Sequence, residues 1–227
     1  MASIGTCSGR RRPACSGENP KWFHKCGGSL ITNNHVLTAA HCFRGLRYTS
    51  QPIVKLSKLS FILYRPGRDK VRLGVTDLNS ASFKAALYED TGTEVVRDIE
   101  QVLTHPLYLK RYKDLSYFDV GLILVAKRIE FTDFVLPVCL PFLPVDDGDY
   151  LADKFVTLTG WGEDPGAGEQ STELAVDSLK VISGDFCSES VLSDENIKNF
   201  VSKADVNNPL SRKNSSFGAG ITPQVSS

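Results

Sequence analysis

An all-β fold, a sandwich or a barrel, is what this sequence predicts, and two observations carry the prediction. Short runs rich in β-branched and aromatic residues recur from Trp22 onward: Phe61 to Tyr64, Val71 to Val75, Val120 to Val125 and Phe155 to Thr159. Gly, Pro, Asn and Asp turns separate them, as they do in antiparallel sandwiches and barrels. Size follows from length and composition, since 227 residues with 41% hydrophobic content can bury a core in one large domain or two small ones.

Taken in order, Met1 to Pro20 is rich in Ser, Gly, Arg and Pro and shows neither strand nor helix periodicity. It reads as a poorly ordered N-terminal tail, with Arg10-Arg11-Arg12-Pro13 as a solvated basic cluster. Ser29 to Thr32 and His35 to Thr38 are β-leaning runs on either side of Asn33-Asn34, a pair that tolerates turn geometry, so a hairpin is expected there. Gly45 to Gly67 is a long connection, either a surface insertion or sequence foreign to the domain. Near the end, Ser193 is placed to cap a short helix carrying Ile197, Phe200 and Val201 on one side. Beyond Ala204 the pattern dissolves, and Asn214-Ser215-Ser216 is a formal glycosylation sequon that matters only on an exported chain.

Charge excludes more than it suggests. Twenty-six basic residues balance 26 acidic ones, which gives no argument for nucleic acid, a membrane surface or strongly acidic substrates. No segment approaches the length of a membrane span, and Met1 to Gly17 has no apolar run of signal-peptide length. The six cysteines lack the paired spacing or histidine partners of a structural zinc site, so no metal is expected and disulfides are the better reading. Disulfides imply an oxidising compartment and a secreted protein. Reduced thiols would favour an intracellular β-rich interaction protein instead.

Two segments carry the chemistry: Cys26-Gly27-Gly28-Ser29-Leu30-Ile31 and, just downstream, Leu37-Thr38-Ala39-Ala40-His41-Cys42. Together they resemble the histidine region of the chymotrypsin-family (trypsin-like) serine proteases. The resemblance implies that Cys26 bridges Cys42, closing a loop of about 15 residues worth about 3 kcal/mol in the chain-entropy model and fixing the backbone beside His41. A hydroxyl nucleophile is weak at neutral pH, so acyl transfer needs a base, a carboxylate that orients it and donors for the oxyanion. His41 is the candidate base. Asp119, in Tyr117-Phe118-Asp119-Val120-Gly121-Leu122, stands at the mouth of an apolar strand and is the candidate carboxylate. Asp98 and Asp114 compete with it, but neither begins a comparable strand. Val102-Leu103-Thr104-His105-Pro106 resembles a run the family places upstream of its aspartate, which leaves His105 as a surface or packing residue.

Val135 to Pro141 is similar to the family's connection between two barrels, and Thr159-Gly160-Trp161-Gly162 to the start of the second barrel. Leu179 to Ile182, with Cys187, is similar to the strand and cysteine that come next in the family. The resemblance therefore implies two antiparallel Greek-key β-barrels with the second truncated. Residues 21–135 form the first barrel, short of its N-terminal strand and with the insertion at 45–67; 136–190 begin the second; 191–227 are a divergent C-terminal segment. It further implies a serine-type endopeptidase, incomplete at both ends, that acts on protein or peptide substrates, meets protease inhibitors, binds neither nucleic acid nor membrane and needs no cofactor.

The family's Gly-Asp-Ser-Gly-Gly nucleophile segment does not occur in this sequence. Ser215 and Ser216, beside a Gly-rich turn, are the nearest substitutes and lack the motif, so no nucleophile is identified and no residue is assigned to substrate choice. The alternative reading is a non-catalytic protease homologue that serves as a binding or regulatory module. Cys139 resembles a position that in some members ties the domain to an upstream segment, which would make Cys7 or Cys15 its partner; a local Cys7 to Cys15 bridge, or free thiols, is the other possibility. Cys187 is left unpaired.

Overall fold

Alternating apolar side chains draw six antiparallel strands into a closed barrel. The computed structural model describes residues 1–7, 15, 20–43, 55–56, 59–63, 69–105, 108, 118–140, 150–162 and 170–186. Its strands are β1 (Ala2–Cys7), β2 (Trp22–Leu30), β3 (His35–Thr38), β4 (Lys55–Leu56), β5 (Leu59–Leu63), β6 (Asp69–Leu73), β7 (Val95–Thr104), β8 (Gly121–Val125), β9 (Phe155–Gly160) and β10 (Ala175–Lys180). Around the barrel the order is β6, β1, β2, β3, β8 and β7, and β7 pairs back onto β6. Closure removes the open edges that a flat sheet would present for aggregation.

The interior follows the period of two that strands impose. In β8, Gly121, Ile123 and Val125 are buried while Leu122 and Leu124 between them are only partly so. Ile4, Val36, Val71, Val102 and Ile123 have no exposed surface, and Leu30, Phe43, Leu73 and Ile99 belong to the same cluster. Each such aliphatic side chain contributes about 1.5–3 kcal/mol by leaving water.

The tail expected over 1–20 fails at its first seven residues. Ala2–Cys7 is β1, paired with β2 on one edge and β6 on the other, so the barrel has the strand it was expected to lack. Both faces of β1 are covered, and a strand of small residues buried on both sides shows no alternation to read. Its polar positions are satisfied: the Trp22 indole N–H donates to Ser3 Oγ at 2.9 Å, and Ser3 Oγ lies 2.7 Å from His24 Nδ1. Cys7 is bridged to Cys15, the local alternative.

The hairpin around Asn33-Asn34 is present, with Ser29 opposite Leu37 and Leu30 opposite Val36. Part of the 45–67 connection is strand: β5 adds to β7 through Phe61, Ile62 and Leu63, and β4 pairs with β5. The remaining residues of that connection, and the helix expected after Ser193, lie outside the described residues.

Between β6 and β7 the chain makes an excursion that includes a one-turn helix, α1 (Phe83–Ala86). A buried ion pair holds it down. Arg72, with no exposed surface, binds Glu94 through Nε and Nη2, donates from Nη1 to the Leu78 carbonyl at 2.7 Å and lies over the Phe83 ring. The Ser82 hydroxyl donates to Glu94 Oε2, so the carboxylate is satisfied from both sides.

The chain divides into two compact units, Met1–Leu140 with Gly160–Ala175, and Pro141–Thr159 with Val176–Ser227. Within the first unit, Trp161 packs with Val75 and Leu78, and its indole N–H donates to the Thr76 carbonyl at 3.0 Å. In the second unit β9 and β10 form a two-stranded sheet that exposes Phe155, Leu158 and Val176.

Candidate active site

His41 belongs to a 3₁₀ turn, Ala40–Phe43, that follows β3 directly. Three features of the sequence put it there. Thr38 ends β3 by donating its hydroxyl to the Gly27 carbonyl at 2.8 Å, tying β3 to β2. Cys42 is joined to Cys26 of β2 by a disulfide, with Cα atoms 6.0 Å apart. Phe43 is buried in the barrel core, so the turn is anchored at its far end as well.

Asp119 comes from just before the neighbouring strand, β8. It sits in a tight turn that leads into β8, in which the Val120 N–H donates to the Phe118 carbonyl at 2.7 Å. Phe118 has a φ of 55°, an uncommon conformation for a bulky residue and one that costs on the order of 1–3 kcal/mol. Its ring stacks on His105 with centroids 4.6 Å apart, which gives His105 a packing role. β8 pairs with β3 through Gly121 and Thr38, so the turn carrying Asp119 and the turn carrying His41 leave the same end of neighbouring strands.

The two predicted residues meet. The His41 ring Nδ1 is 2.7 Å from Asp119 Oδ2, and the His41 backbone N–H donates to Oδ1 at 2.8 Å. Both carboxylate oxygens are therefore used by one residue, which fixes the ring as well as the backbone. A carboxylate accepts, so Nδ1 carries the proton and Nε2 of the neutral ring is left with its lone pair. The His41 side chain is 53% exposed and that of Asp119 26%, which leaves Nε2 open to an incoming group. Of the competing acids, Asp98 pairs with Lys70 of β6, and Asp114 lies outside the described residues, as do Ser215, Ser216 and Cys187. A cleft of about 210 Å³ lined by Met1, Leu73, Gly74 and Asp133 to Leu136 includes none of these residues.

Gly121 was not singled out by the sequence, yet the site needs it. A Cβ at this position would stand 2.5 Å from the Phe43 ring and 3.2 Å from Ala40 Cα, so only glycine lets the 3₁₀ turn lie against β8. The signal was available in outline: a glycine at the head of an apolar strand marks a close approach of backbone.

Known proteins share much of this chain. The family model described as Trypsin matches residues 9–213. Phenoloxidase-activating factor 1 of Holotrichia diomphalia is 30% identical over 166 residues, 71% of this chain and 40% of that protein. Phenoloxidase-activating enzyme of Bombyx mori is 35% identical over 145 residues, 60% of this chain and 28% of that protein. Venom serine protease Bi-VSP of Bombus ignitus is 29% identical over 183 residues, 80% and 42% respectively. The chain thus spans less than half the length of these relatives.

Proposed function

The chain belongs to the trypsin family of serine proteases, and from that premise we propose that His41 and Asp119 are the base and orienting carboxylate of a serine-type endopeptidase. The observation that carries the reading is the doubly held carboxylate, with Asp119 accepting from both the ring and the backbone of His41. His41 Nε2 takes the proton of an attacking hydroxyl and returns it to the leaving amine. Asp119 holds the ring in the required tautomer and stabilises the imidazolium formed in between. The substrates are proteins cut at peptide bonds, and the beetle and silkworm relatives, named for activating phenoloxidase, favour activation of another protein by cleavage. Two disulfides among the described residues favour a secreted product. The two-barrel architecture belongs to the same reading, with β9 and β10 as the opening of a second barrel.

A nucleophile is the missing part, because the sequence contains no Gly-Asp-Ser-Gly-Gly segment. Loss of the catalytic serine costs on the order of a million-fold in subtilisin, and here the oxyanion donors that accompany the serine are lost with it. This polypeptide is therefore inactive by itself. The same absence favours a second reading, a homologue that keeps the fold to bind or regulate. Incubation with a fluorophosphonate and a peptide ester tests the assignment: neither labelling nor turnover is expected, and labelling of Ser215 or Ser216 would contradict it.

A further inference from the structure

Phe118 has a backbone conformation that a bulky residue does not keep unaided. Its φ of 55° lies in the left-handed region, which Gly, and at times Asn or Asp, visit and a large side chain avoids. Such a conformation persists only where the surroundings over-determine it, and it gathers at functional sites. The next residue is Asp119, both of whose carboxylate oxygens are engaged by His41. Whatever holds Phe118 therefore aims that carboxylate.

The Phe118 ring lies flat on the ring of His105, with centroids 4.6 Å apart and planes 11° from parallel, a separation at which stacked rings attract. His105 is itself fixed on both sides of its backbone. Its N–H donates to the Val120 carbonyl at 3.0 Å, and its carbonyl accepts from the Tyr108 N–H at 2.9 Å. Thr104, one residue earlier, pairs with Gly121, so the end of β7 and the start of β8 belong to one ladder. The Val120 N–H donates to the Phe118 carbonyl at 2.7 Å, which closes three residues into a turn with Asp119 at its centre. Contacts thus run from His105 to Phe118, from Phe118 along the chain to Asp119, and from Asp119 to His41.

We infer that His105 is a positioning residue, whose ring clamps Phe118 in the left-handed conformation and so keeps Asp119 on His41. The property used is a flat ring on a fixed backbone, and no proton need move on His105. That acyl transfer depends on the clamp rests on the function proposed above; the clamp itself does not.

The test is proton NMR of the whole oxidised chain, reading the downfield Nδ1 proton of His41, with circular dichroism as the check on folding. His105→Phe, which keeps a flat ring, is expected to retain the resonance. His105→Ala and His105→Leu, the second of which keeps bulk without a flat ring, are expected to lose it while the chain stays folded. Asn tolerates left-handed backbone far better than Phe. The double variant His105→Ala with Phe118→Asn is therefore expected to recover the resonance, a non-additive result that a residue merely filling space would not give. A resonance unchanged in His105→Ala and His105→Leu, lost in His105→Phe, or not recovered in the double variant overturns the inference. Should both the alanine and leucine variants unfold, the natural sequence decides: the Phe118 ring must shift the His105 ring protons upfield, and Phe118→Asn must abolish that shift. Absence of the shift overturns the inference. An Nδ1 resonance missing from the natural sequence contradicts this inference and the base and carboxylate reading together, whereas a resonance indifferent to His105 contradicts this inference alone.

Discussion

Arg72 and Glu94 illustrate what a buried charge demands of its surroundings. Each is almost wholly inside, and each is satisfied only by the other with help from Leu78, Ser80 and Ser82. Removing one partner leaves the other charged and unpaired, so Arg72→Leu is expected to cost about 3–5 kcal/mol, read as a lower urea midpoint at unchanged slope. A loss below about 1 kcal/mol would show that the pair is not buried as described. Asp90 is a milder case. Two hydrogen bonds from Arg97, each at 2.6 Å, hold its carboxyl below the usual range. The unfolded chain therefore binds a proton more readily than the folded one as acid is added. The stability this provides is complete above about pH 4, the ordinary carboxylate value, and is lost as pH falls through the lowered folded value. Asp90→Asn should reduce stability at neutral pH and flatten the acid limb of a stability–pH curve. Neither pair was legible in the sequence, because partners 22 and 7 residues apart meet only after β6, β7 and their connection have packed.

At the scale of elements, the site depends on how the 3₁₀ turn rests against β8. Gly121→Val puts a branched side chain where the Phe43 ring and Ala40 stand. It is expected to cost about 1–3 kcal/mol through overpacking and to pull His41 away from Asp119. Thermal denaturation checks the first effect and the Nδ1 proton resonance of His41 the second; an unchanged resonance would mean that the turn adjusts without moving the ring. The hairpin of β2 and β3 was readable because Asn33-Asn34 breaks two apolar runs at the turn itself. β1 was not, because Ala2, Ser3 and Gly5 carry no strand signal of their own and acquire one only by being enclosed between β2 and β6. Asp119 was legible as an acid heading an apolar strand, whereas its turn, which requires Phe118 in a left-handed conformation, was not.

For the molecule as a whole, the all-β class was evident from strands and turns alone, and the closed barrel adds what no local pattern states: β7 pairs with β5 and β6 along one edge and β8 along the other. Closure turns two distant segments, His35 to Phe43 and Phe118 to Val125, into neighbours and makes a site from residues 78 apart in sequence. We propose that this fold holds His41 as a base, with Nδ1 protonated toward Asp119 and Nε2 unprotonated. The measurement that tests it most directly is proton–nitrogen NMR of the histidine rings in the oxidised chain at neutral to mildly alkaline pH, with His41→Gln for assignment. A strongly downfield Nδ1 proton on His41, an unprotonated Nε2, and loss of that proton signal in Asp119→Asn are expected. A His41 ring protonated at Nε2, or a resonance indifferent to Asp119→Asn, would contradict it.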